Sequence, residues 1–445
     1  MDEETRRRAV KYLQWSKMIR SVGQGALAVA FSLYLKDLGW SATGIGLLLS
    51  SGGILNAGLS LVIGAASDRT GRKSYVLWYE VVTLVAAVVM MLYTGWPAIV
   101  FGCLFVGIGR NQSGVPGPMN PAEQAWIAEV VPPLERGMVY STNSALGFFG
   151  MGTGAVIVGQ MKWWQTWLPG IQSYQPLFLL VALSALGNFL LLWRTPGGEV
   201  VAAKDPAGTK DRGNAQGNDG AKAKAEVAAA AALGSEPAGR QRNVDAVTRE
   251  ENILMLKMAM VNALNGIAVG LTSPLLSYWF SLRFGVGADA LGPVFALTFF
   301  ITGLTTLFTG RLSQRIGIVR AVVSVRMASV IFMLLQPVIP QFYLASAVFT
   351  IRSALARSSV GARQALAVSL VRQERRGLAS SLNGISMQLP NALGPSLAGA
   401  MMEAGFMALP FFSAAGLQFL FGVLYGRLFQ RYDPVHRAGG ETTCA

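Results

Sequence analysis

Long apolar segments alternate with short polar connections along most of the chain. A helix needs about 20 apolar residues to cross roughly 30 Å of hydrocarbon, and segments of that length recur twelve times. The pattern predicts membrane-spanning helices over residues 18–36, 42–66, 75–95, 97–128, 138–161, 176–194, 253–281, 289–311, 318–337, 340–370, 378–402 and 407–429. The basic and aromatic stretch before the first of them, residues 2–17, is predicted to lie as a helix at the membrane surface.

One long polar segment divides these apolar segments into two sets of six. Residues 196–250 are rich in Ala, Gly, Lys and Asp, and such a composition cannot bury a core, so we interpret them as a disordered cytoplasmic linker. We therefore expect a first six-helix bundle over residues 1–195. A second six-helix bundle, followed by a polar cytoplasmic tail, is expected over residues 251–445.

The two sets of six segments resemble each other in sequence. A shift of 246 residues places Gly64, Arg69 and Gly71 on Gly310, Arg315 and Gly317. A shift of 240 residues places residues 124–159 on residues 364–399, where Gln, Arg, Ser, Asn and Gly recur in register. Repeated halves of this kind are typical of transporters whose halves rock about a central site, and a duplicated passive scaffold is the alternative.

Composition and charge agree with a membrane chain. Of the 445 residues, 52% are hydrophobic and 13% are charged, against about 25% charged in soluble proteins. The net charge of +14 does not indicate nucleic acid as a partner, because Lys and Arg gather at one set of alternating segment ends. The opposite ends carry only Lys36, Lys162 and Arg283. This asymmetry predicts a multi-pass membrane protein with both termini in the cytoplasm. The composition, rich in Ala, Gly and Arg, is compatible with a plasma (inner) membrane.

Residues that carry enzymatic chemistry are scarce. The chain has two cysteines, Cys103 and Cys444, and one histidine, His436, so the sequence offers neither a metal-ligand set nor a nucleophile with its base. We predict that the protein is not an enzyme and that it holds no metal and no cofactor, with a proton gradient as its energy source. The expected partners are a small-molecule substrate and the lipid bilayer, and a monomer is expected.

The connection between the second and third segments has a distinctive sequence. Residues 64–73 read GAASDRTGRK, which resembles the G-x-x-x-D-R-x-G-R-K loop of the major facilitator superfamily, and most of all its drug- or small-molecule:proton antiporter-type exporters. The resemblance implies an all-α integral membrane fold of twelve helices. These would form two pseudo-symmetric six-helix bundles around a central cavity, which would open to each side of the membrane in turn.

This loop is expected to act as a conformational latch. Asp68 is expected to accept bonds from neighbouring arginines and from a facing helix N-terminus near Gly377 when the cytoplasmic ends of the two halves meet. Anchoring of the topology by the basic residues alone is the alternative. The candidate latch residues are Gly64, Asp68, Arg69, Gly71, Arg72, Lys73, Glu129 and Arg136.

Charged residues at membrane depth are costly, and each is a candidate functional residue. Arg110 and Arg352 are predicted near the midplane of the fourth and tenth segments, and Arg110 begins an Arg-x-x-x-Gly pattern that resembles the family's helix-4 motif linked to proton coupling. The acids within or near the helical cores are Asp37, Glu80 and Glu123. All five residues are candidate coupling or cavity charges, with Glu80 interpreted as a support of the latch.

These charged residues are compatible with two functions. The resemblance implies proton-coupled export of a small organic or drug-like molecule. The alternative is an organic-anion symporter or exchanger, in which Arg110 and Arg352 contact the negative charge of the substrate.

Polar side chains on single helix faces are candidates for lining the substrate site. Hydrogen bonding between helices is the alternative for each of them. The eleventh segment also contains Gly394 and Pro395, which are expected to let that helix bend. The candidate lining residues are Gln24, Asn56, Asn262, Asn265, Thr272, Gln388 and Asn391.

Overall fold

The computed structural model describes residues 3–110, 115–132, 136–196, 238–358, 363, 366 and 376–432. Within these ranges, the side chains of residues 65, 68–70, 136–137, 238–247, 308–316, 318, 358, 376–381 and 432 lie outside the description. The described residues form helices and connecting turns, with no β-strand among them. The predicted all-α class is therefore confirmed.

The helices follow one another in an up-and-down order. In chain order they are α1 (Glu3–Asp37), α2 (Ala42–Thr70), α3 (Arg72–Leu92), α4 (Trp96–Phe101), α5 (Asn120–Val130), α6 (Arg136–Gly159), α7 (Met161–Gln165), α8 (Gln175–Trp193), α9 (Ala238–Thr272), α10 (Leu276–Phe284), α11 (Ala288–Ile316), α12 (Ile318–Leu335), α13 (Phe342–Ser358), α14 (Arg376–Glu403) and α15 (Leu409–Phe429).

Most of the apolar segments of the sequence become single helices. Among the described residues, eight helical stretches are long and apolar enough to cross a membrane. These stretches fall in both halves of the chain. In lipid, an unbroken apolar run forms a helix because a helix satisfies all of its own backbone hydrogen bonds. The protein is thus a multi-pass membrane protein.

The structure differs from the predicted segments at four places. Residues 3–17 do not form a separate surface helix, since α1 runs without a break from Glu3 to Asp37. The predicted continuous helix over residues 97–128 is interrupted between α4 and α5, and the one over residues 253–281 is interrupted between α9 and α10. α9 begins at Ala238, inside the segment predicted to be a linker, and residues 197–237 lie outside the described residues.

The alternation of helices gives the bundle two distinct ends. We call the end that contains the α2–α3 turn at Gly71 and the α11–α12 turn at Gly317 the basic end, because Arg72, Lys73 and Arg320 follow those turns. The far end contains the last residue of α14, Glu403. Both Gly71 and Gly317 have positive φ, at 98° and 89°, a conformation that glycine adopts at little cost.

The apolar core is shared between the halves towards the far end and separate towards the basic end. One cluster of buried residues includes Phe31 and Tyr34 from the first half together with Trp279 and Phe411 from the second. At the basic end, the described residues form one cluster around Trp126 in the first half and another around Phe421 in the second. The described core thus joins the halves on the far side.

Candidate functional site

Four charged side chains of the first half form a buried cluster on the basic side. Arg20 donates from Nε to Glu80 Oε1 at 2.8 Å and from Nη1 to Glu123 Oε2 at 2.5 Å. Lys17 donates from Nζ to Glu123 Oε1 at 3.0 Å. None of the four is more than 5% exposed. Two positive and two negative charges make this first-half cluster neutral, which offsets much of the cost of removing each charge from water.

Three helices bring this first-half cluster together. Lys17 and Arg20 are three residues apart on α1 and therefore share a face, while α3 supplies Glu80 and α5 supplies Glu123. The sequence analysis did not single out the two basic residues from the other Lys and Arg at the segment ends, and it missed the cluster. Their spacing of three was the available signal. Glu80 was expected to support the latch and Glu123 to be a coupling charge. In the structure both bind the same basic residue, Arg20.

A pocket of about 420 Å³ adjoins the first-half cluster. Arg20, Glu80 and Gln24 provide polar side chains in its lining, and Val181 and Leu27 provide part of its apolar wall. Residues 106–109 also line it. The pocket therefore lies inside the first half, between α1, α3, α8 and the interruption that follows α4.

That interruption is built on glycine. After α4, residues 102–106 form a π-helical turn, and Gly107 and Gly109 then have φ of 78° and 80°. This left-handed backbone ends the helix, which is why the prediction of one continuous helix over residues 97–128 is wrong. A Cβ on Gly109 would lie 2.0 Å from the ring of Phe31, so the close packing of α1 also requires glycine there.

Side chains of neighbouring helices satisfy carbonyl groups that the interruption frees. Tyr79 Oη donates to the carbonyl oxygen of Val106 at 2.9 Å, and Gln24 Nε2 donates to that of Val115 at 2.8 Å. Irregular backbone at membrane depth is stable only where protein groups or water satisfy it in this way. Gln24, a candidate lining residue, therefore also supports the interrupted helix.

Arg110 lies within the interruption and not on a helix. Its guanidinium packs against Gly53 of α2, where a Cβ would lie 2.4 Å from Nη2. The Nε atom is buried without a hydrogen-bond partner, and Arg110 forms no ion pair with any residue that the structure describes. Gly114, the last residue of the Arg-x-x-x-Gly pattern, lies outside the described residues.

Arg352 occupies a comparable setting on α13 in the second half. It is 6% exposed, and its guanidinium carbon lies 5.7 Å from the centre of the Phe349 ring. The Nε atom has no hydrogen-bond partner, and no acidic residue of the described chain forms an ion pair with it. One turn and a half further on, the guanidinium carbon of Arg357 lies 5.3 Å from the ring of Phe148. Arg357 therefore reaches across to the first half.

Three of the candidate lining residues are engaged in packing of α9. Asn262 Nδ2 donates to Asn383 Oδ1 at 2.5 Å, and Asn265 Nδ2 lies 3.9 Å from the sulfur of Met387. Both contacts join α9 to α14. Thr272 donates to a carbonyl of its own helix at 3.2 Å. The contacts of Asn262 and Asn265 correspond to the interhelical alternative of the sequence analysis.

The other candidate lining residues have polar atoms without a partner in the structure, or are exposed. Asn56 Nδ2 and Asn391 Oδ1 are buried with no hydrogen-bond partner. Gln388 is exposed on α14. Asp37, at the far end of α1, accepts a hydrogen bond from Tyr174 Oη at 2.6 Å and so lies well away from the first-half cluster.

The candidate latch residues that the structure describes make contacts within the first half. Arg72 Nη1 donates to Glu129 Oε2 at 3.3 Å, and Lys73 Nζ donates to the carbonyl oxygens of Trp193 and Thr195 at 2.9 and 2.7 Å. Gly64 packs against Pro121 of α5. The side chains of Asp68, Arg69 and Arg136 lie outside the described residues.

Hydrogen bonds join the two halves on the far side. The Thr43 N–H donates to Glu403 Oε2 at 2.9 Å, the Ser396 N–H to Ser50 Oγ at 2.9 Å, and Lys36 Nζ to Ser281 Oγ at 2.8 Å. Each pair connects the first half to the second. Together with the shared core, they seal the far side of the interface between the halves.

Gly394 and Pro395 take part in this packing. α14 continues through Pro395 to Glu403. A Cβ on Gly394 would lie 2.2 Å from the backbone of Gly270, and one on Gly46 of α2 would lie 2.3 Å from the Pro395 carbonyl oxygen. Close helix contacts of this kind are typical of small residues in membrane bundles.

Comparison with known families gives one match that covers most of the chain. A sequence model of the Major Facilitator Superfamily matches residues 15–238 and 258–443. The gap between the two matched ranges lies near the junction of the two halves of the chain.

Individual proteins are similar to the chain at lower identity. The uncharacterized membrane protein YJR124C of Saccharomyces cerevisiae is 21% identical over 442 residues, which are 96% of this chain and 95% of that protein. The hexuronate transporter of Bacillus subtilis is 31% identical over 150 residues, 33% of this chain and 34% of that protein. The crystal structure of a D-xylose-proton symporter is 14% identical, covers 94% of this chain and 96% of its own, and superposes with a TM-score of 0.70.

Proposed function

The chain belongs to the Major Facilitator Superfamily, and we propose that it is a secondary transporter that carries a small organic anion. Its membership and its fold make it a transporter and not an enzyme. The anionic substrate rests on one observation, the pair Arg110 and Arg352. Each half contributes one of these arginines, each has a buried Nε without a hydrogen-bond partner, and neither forms an ion pair with a described residue.

The distribution of charge supports this choice of substrate. The four residues of the first-half cluster pair with one another, and Arg110 forms no ion pair with them or with any other residue that the structure describes. In the second half the sequence contains no Asp or Glu between Asp289 and Glu374, although Arg352 lies within that stretch. A carboxylate or phosphate on the substrate would supply the missing negative charge, and guanidinium groups bind the paired oxygens of such anions well. The relative from Bacillus subtilis is a hexuronate transporter, and a hexuronate is a carboxylate.

Alternating access would proceed from the state seen here. The halves are joined at the far side by the contact between Thr43 and Glu403, so substrate would reach the arginines from the basic end. We propose that the basic end faces the cytoplasm, because Lys and Arg concentrate on the cytoplasmic side of membrane proteins. Binding of an anion between the two halves would draw Arg110 and Arg352 towards it, which would favour closure of the basic end.

Exchange of a labelled sugar acid tests the proposal. Liposomes that contain the purified protein and are preloaded with unlabelled glucuronate are expected to take up radiolabelled glucuronate. They are not expected to take up radiolabelled glucose. Arg352→Met and Arg110→Met are each expected to lower the exchange rate at least tenfold. Arg283→Met, which removes an exposed arginine of the far side, is the matched control and should retain the wild-type rate. Equal exchange of glucuronate by all four proteins would contradict the proposal.

Proton-coupled export is a second candidate, favoured by the buried acids of the first-half cluster. Glu80 lines the pocket, and protonation of either Glu80 or Glu123 would release a bond to Arg20. The same liposomes with an imposed pH gradient separate this candidate from simple exchange. Coupled transport would drive net substrate movement against its own gradient, and Glu123→Gln would abolish that movement while leaving exchange in place.

A further inference from the structure

The contact between α2 and α14 closes the interface between the halves on the far side only. Thr43 of α2 bonds to Glu403, and Ser50 Oγ, further along α2, accepts from the Ser396 N–H at 2.9 Å. The two helices are therefore antiparallel. Towards the basic end, a Cβ on Gly384 of α14 would meet no atom of the described chain within 4 Å, so the contact gives way to open space.

Four residues of α14 share the face that meets the first half. Spacings of four, three and four residues place Gly384, Gln388, Asn391 and Pro395 in one stripe along the helix. The Pro395 carbonyl oxygen packs against Gly46 of α2, which fixes the direction of the stripe. Asn391 and Gln388 therefore face the first half on the basic side of the closed contact.

Arg110 occupies a similar depth in the first half. Its guanidinium packs against Gly53, which lies three residues beyond Ser50, or about 4.5 Å at the helical rise. Asn391 precedes Ser396 by five residues, or about 7.5 Å. Because the helices are antiparallel, both positions are displaced from the contact between Ser50 and Ser396 in the same direction. The guanidinium and the amide thus belong to opposite halves at one level of the membrane.

The side-chain amides of Asn391 and Gln388 are not used for packing. Neither forms a hydrogen bond with any residue that the structure describes. Asn391 Oδ1 is buried without a partner, and Gln388 is exposed. The amide bond that does join α9 to α14 is made by Asn262 and Asn383 instead. A buried polar atom without a partner is costly, and a ligand between the halves would remove that cost.

We propose that Asn391 and Gln388 bind hydroxyl groups of the substrate, so that the transported anion is a hydroxylated carboxylate. This inference rests on the proposed function, which assigns the negative charge of the substrate to Arg110 and Arg352. The Asn391 oxygen needs a donor, and a carboxylate only accepts. An ammonium group could donate, but the guanidinium of Arg110 would repel it. A hydroxyl group both donates and accepts, and so matches an amide.

Thermal stabilisation of the full-length protein in detergent, at constant ionic strength, tests the proposal. Three probes separate the two parts of the substrate: gluconate has a carboxylate and hydroxyls, hexanoate has only the carboxylate, and glucose has only hydroxyls. The dependence of Tm on ligand concentration gives an apparent Kd for each. Gluconate is expected to bind at least about 100-fold more tightly than hexanoate, because a site built for hydroxyls is left unpaired by an acid that lacks them.

Variants assign this preference to the two amides. Asn391→Leu is expected to raise the Kd for gluconate at least about tenfold, which is the loss of one hydrogen bond, while the Kd for hexanoate stays unchanged. Gln388→Leu is a second test on the same face. Gln341→Leu removes an exposed amide at the far side and should retain the wild-type preference.

The possible failures are distinguishable. Equal affinity of the wild type for hexanoate and gluconate, or an undiminished preference in both Asn391→Leu and Gln388→Leu, overturns hydroxyl recognition and leaves the anionic substrate in place. Equal affinity for glucose and gluconate contradicts the anionic substrate, while loss of that affinity in Asn391→Leu would still support hydroxyl recognition. Absence of stabilisation by all three probes overturns both proposals.

Discussion

Glu403, the last residue of α14, accepts a hydrogen bond from the backbone N–H of Thr43 at 2.9 Å. Thr43 lies in the first turn of α2, where N–H groups have no partner within the helix. The carboxylate therefore satisfies one free donor and also interacts favourably with the positive end of the α2 dipole. Because the two residues belong to different halves, this bond exists only while the far side is closed.

Replacement of Glu403 by Gln should shift the protein towards a far-side-open state. The amide oxygen still accepts a hydrogen bond but loses the interaction of a charge with the helix dipole, which contributes about 0.3–1 kcal/mol at exposed sites. This corresponds to a shift of about two- to fivefold in the equilibrium between closed and open states. Spin labels at Trp163→Cys and Phe406→Cys, both exposed positions on the far side, would measure this shift. A larger fraction of the open state would appear as a longer distance between the two labels.

A matched control for Glu403→Gln is available on the same side. Asp289→Asn removes an acid from the first turn of α11 and should leave the distance between the two labels at its wild-type value. Both variants would be made in a background in which Cys103 and Cys444 are replaced. An identical distance distribution in Glu403→Gln and wild type would show that the bond to Thr43 has no influence on the closed state.

The first-half cluster makes a prediction about stability. Glu123→Gln leaves Lys17 without a charged partner and takes one from Arg20, and breaking a buried ion pair in this way costs about 3–5 kcal/mol. We expect a clear fall in Tm of the detergent-purified protein. Adding Lys17→Met removes the cation that Glu123→Gln left behind, and the double variant should recover part of the loss. A double variant less stable than both single variants would contradict the paired arrangement.

The apolar pattern was sufficient to predict most helices, because a membrane span is determined locally by the length of an apolar run. α2, α3 and α6 follow directly from it. The interruption at Gly107 and Gly109 was not predictable in the same way, since glycine is also common within continuous membrane helices. Only the ring of Phe31, which packs against Gly109 from another helix, shows why the backbone departs there.

Contacts between residues that are far apart along the chain could not be predicted from the sequence either. Glu80 and Glu123 were found as acids at depth, but their shared partner Arg20 is 60 and 103 residues away along the chain. Helical spacing relates residues three or four apart and contains no information about which helices meet. Arg110 and Arg352 could be singled out from the sequence, because an arginine in an apolar run is visible without knowledge of its neighbours.

The position of Arg110 makes a prediction about substrate affinity. A Cβ on Gly53 would lie 2.4 Å from Arg110 Nη2, and the end of a long side chain moves more easily than a helix backbone. Gly53→Ala should therefore displace the guanidinium while leaving Tm unchanged or slightly higher, since Ala favours a helix over Gly. We expect at least tenfold weaker glucuronate binding, measured by competition in the exchange assay. Gly58→Ala is the control on the same helix, because no atom lies within 4 Å of its Cβ position.

The close contact between Gly46 and Pro395 suggests a substitution that should open the interface between the two halves on the far side. In Gly46→Ala the new methyl group would lie 2.3 Å from the Pro395 carbonyl oxygen, which is backbone and cannot rotate away. α2 and α14 must separate, so the far-side-closed state loses stability relative to the open one. Ser50 is 5% exposed in the closed interface, and Ser50→Cys should react with a membrane-impermeant thiol reagent at least several times faster in the Gly46→Ala background. The same cysteine in a Gly58→Ala background should react at the rate of Ser50→Cys alone, and equal rates in both backgrounds would mean that the Gly46 contact does not limit opening.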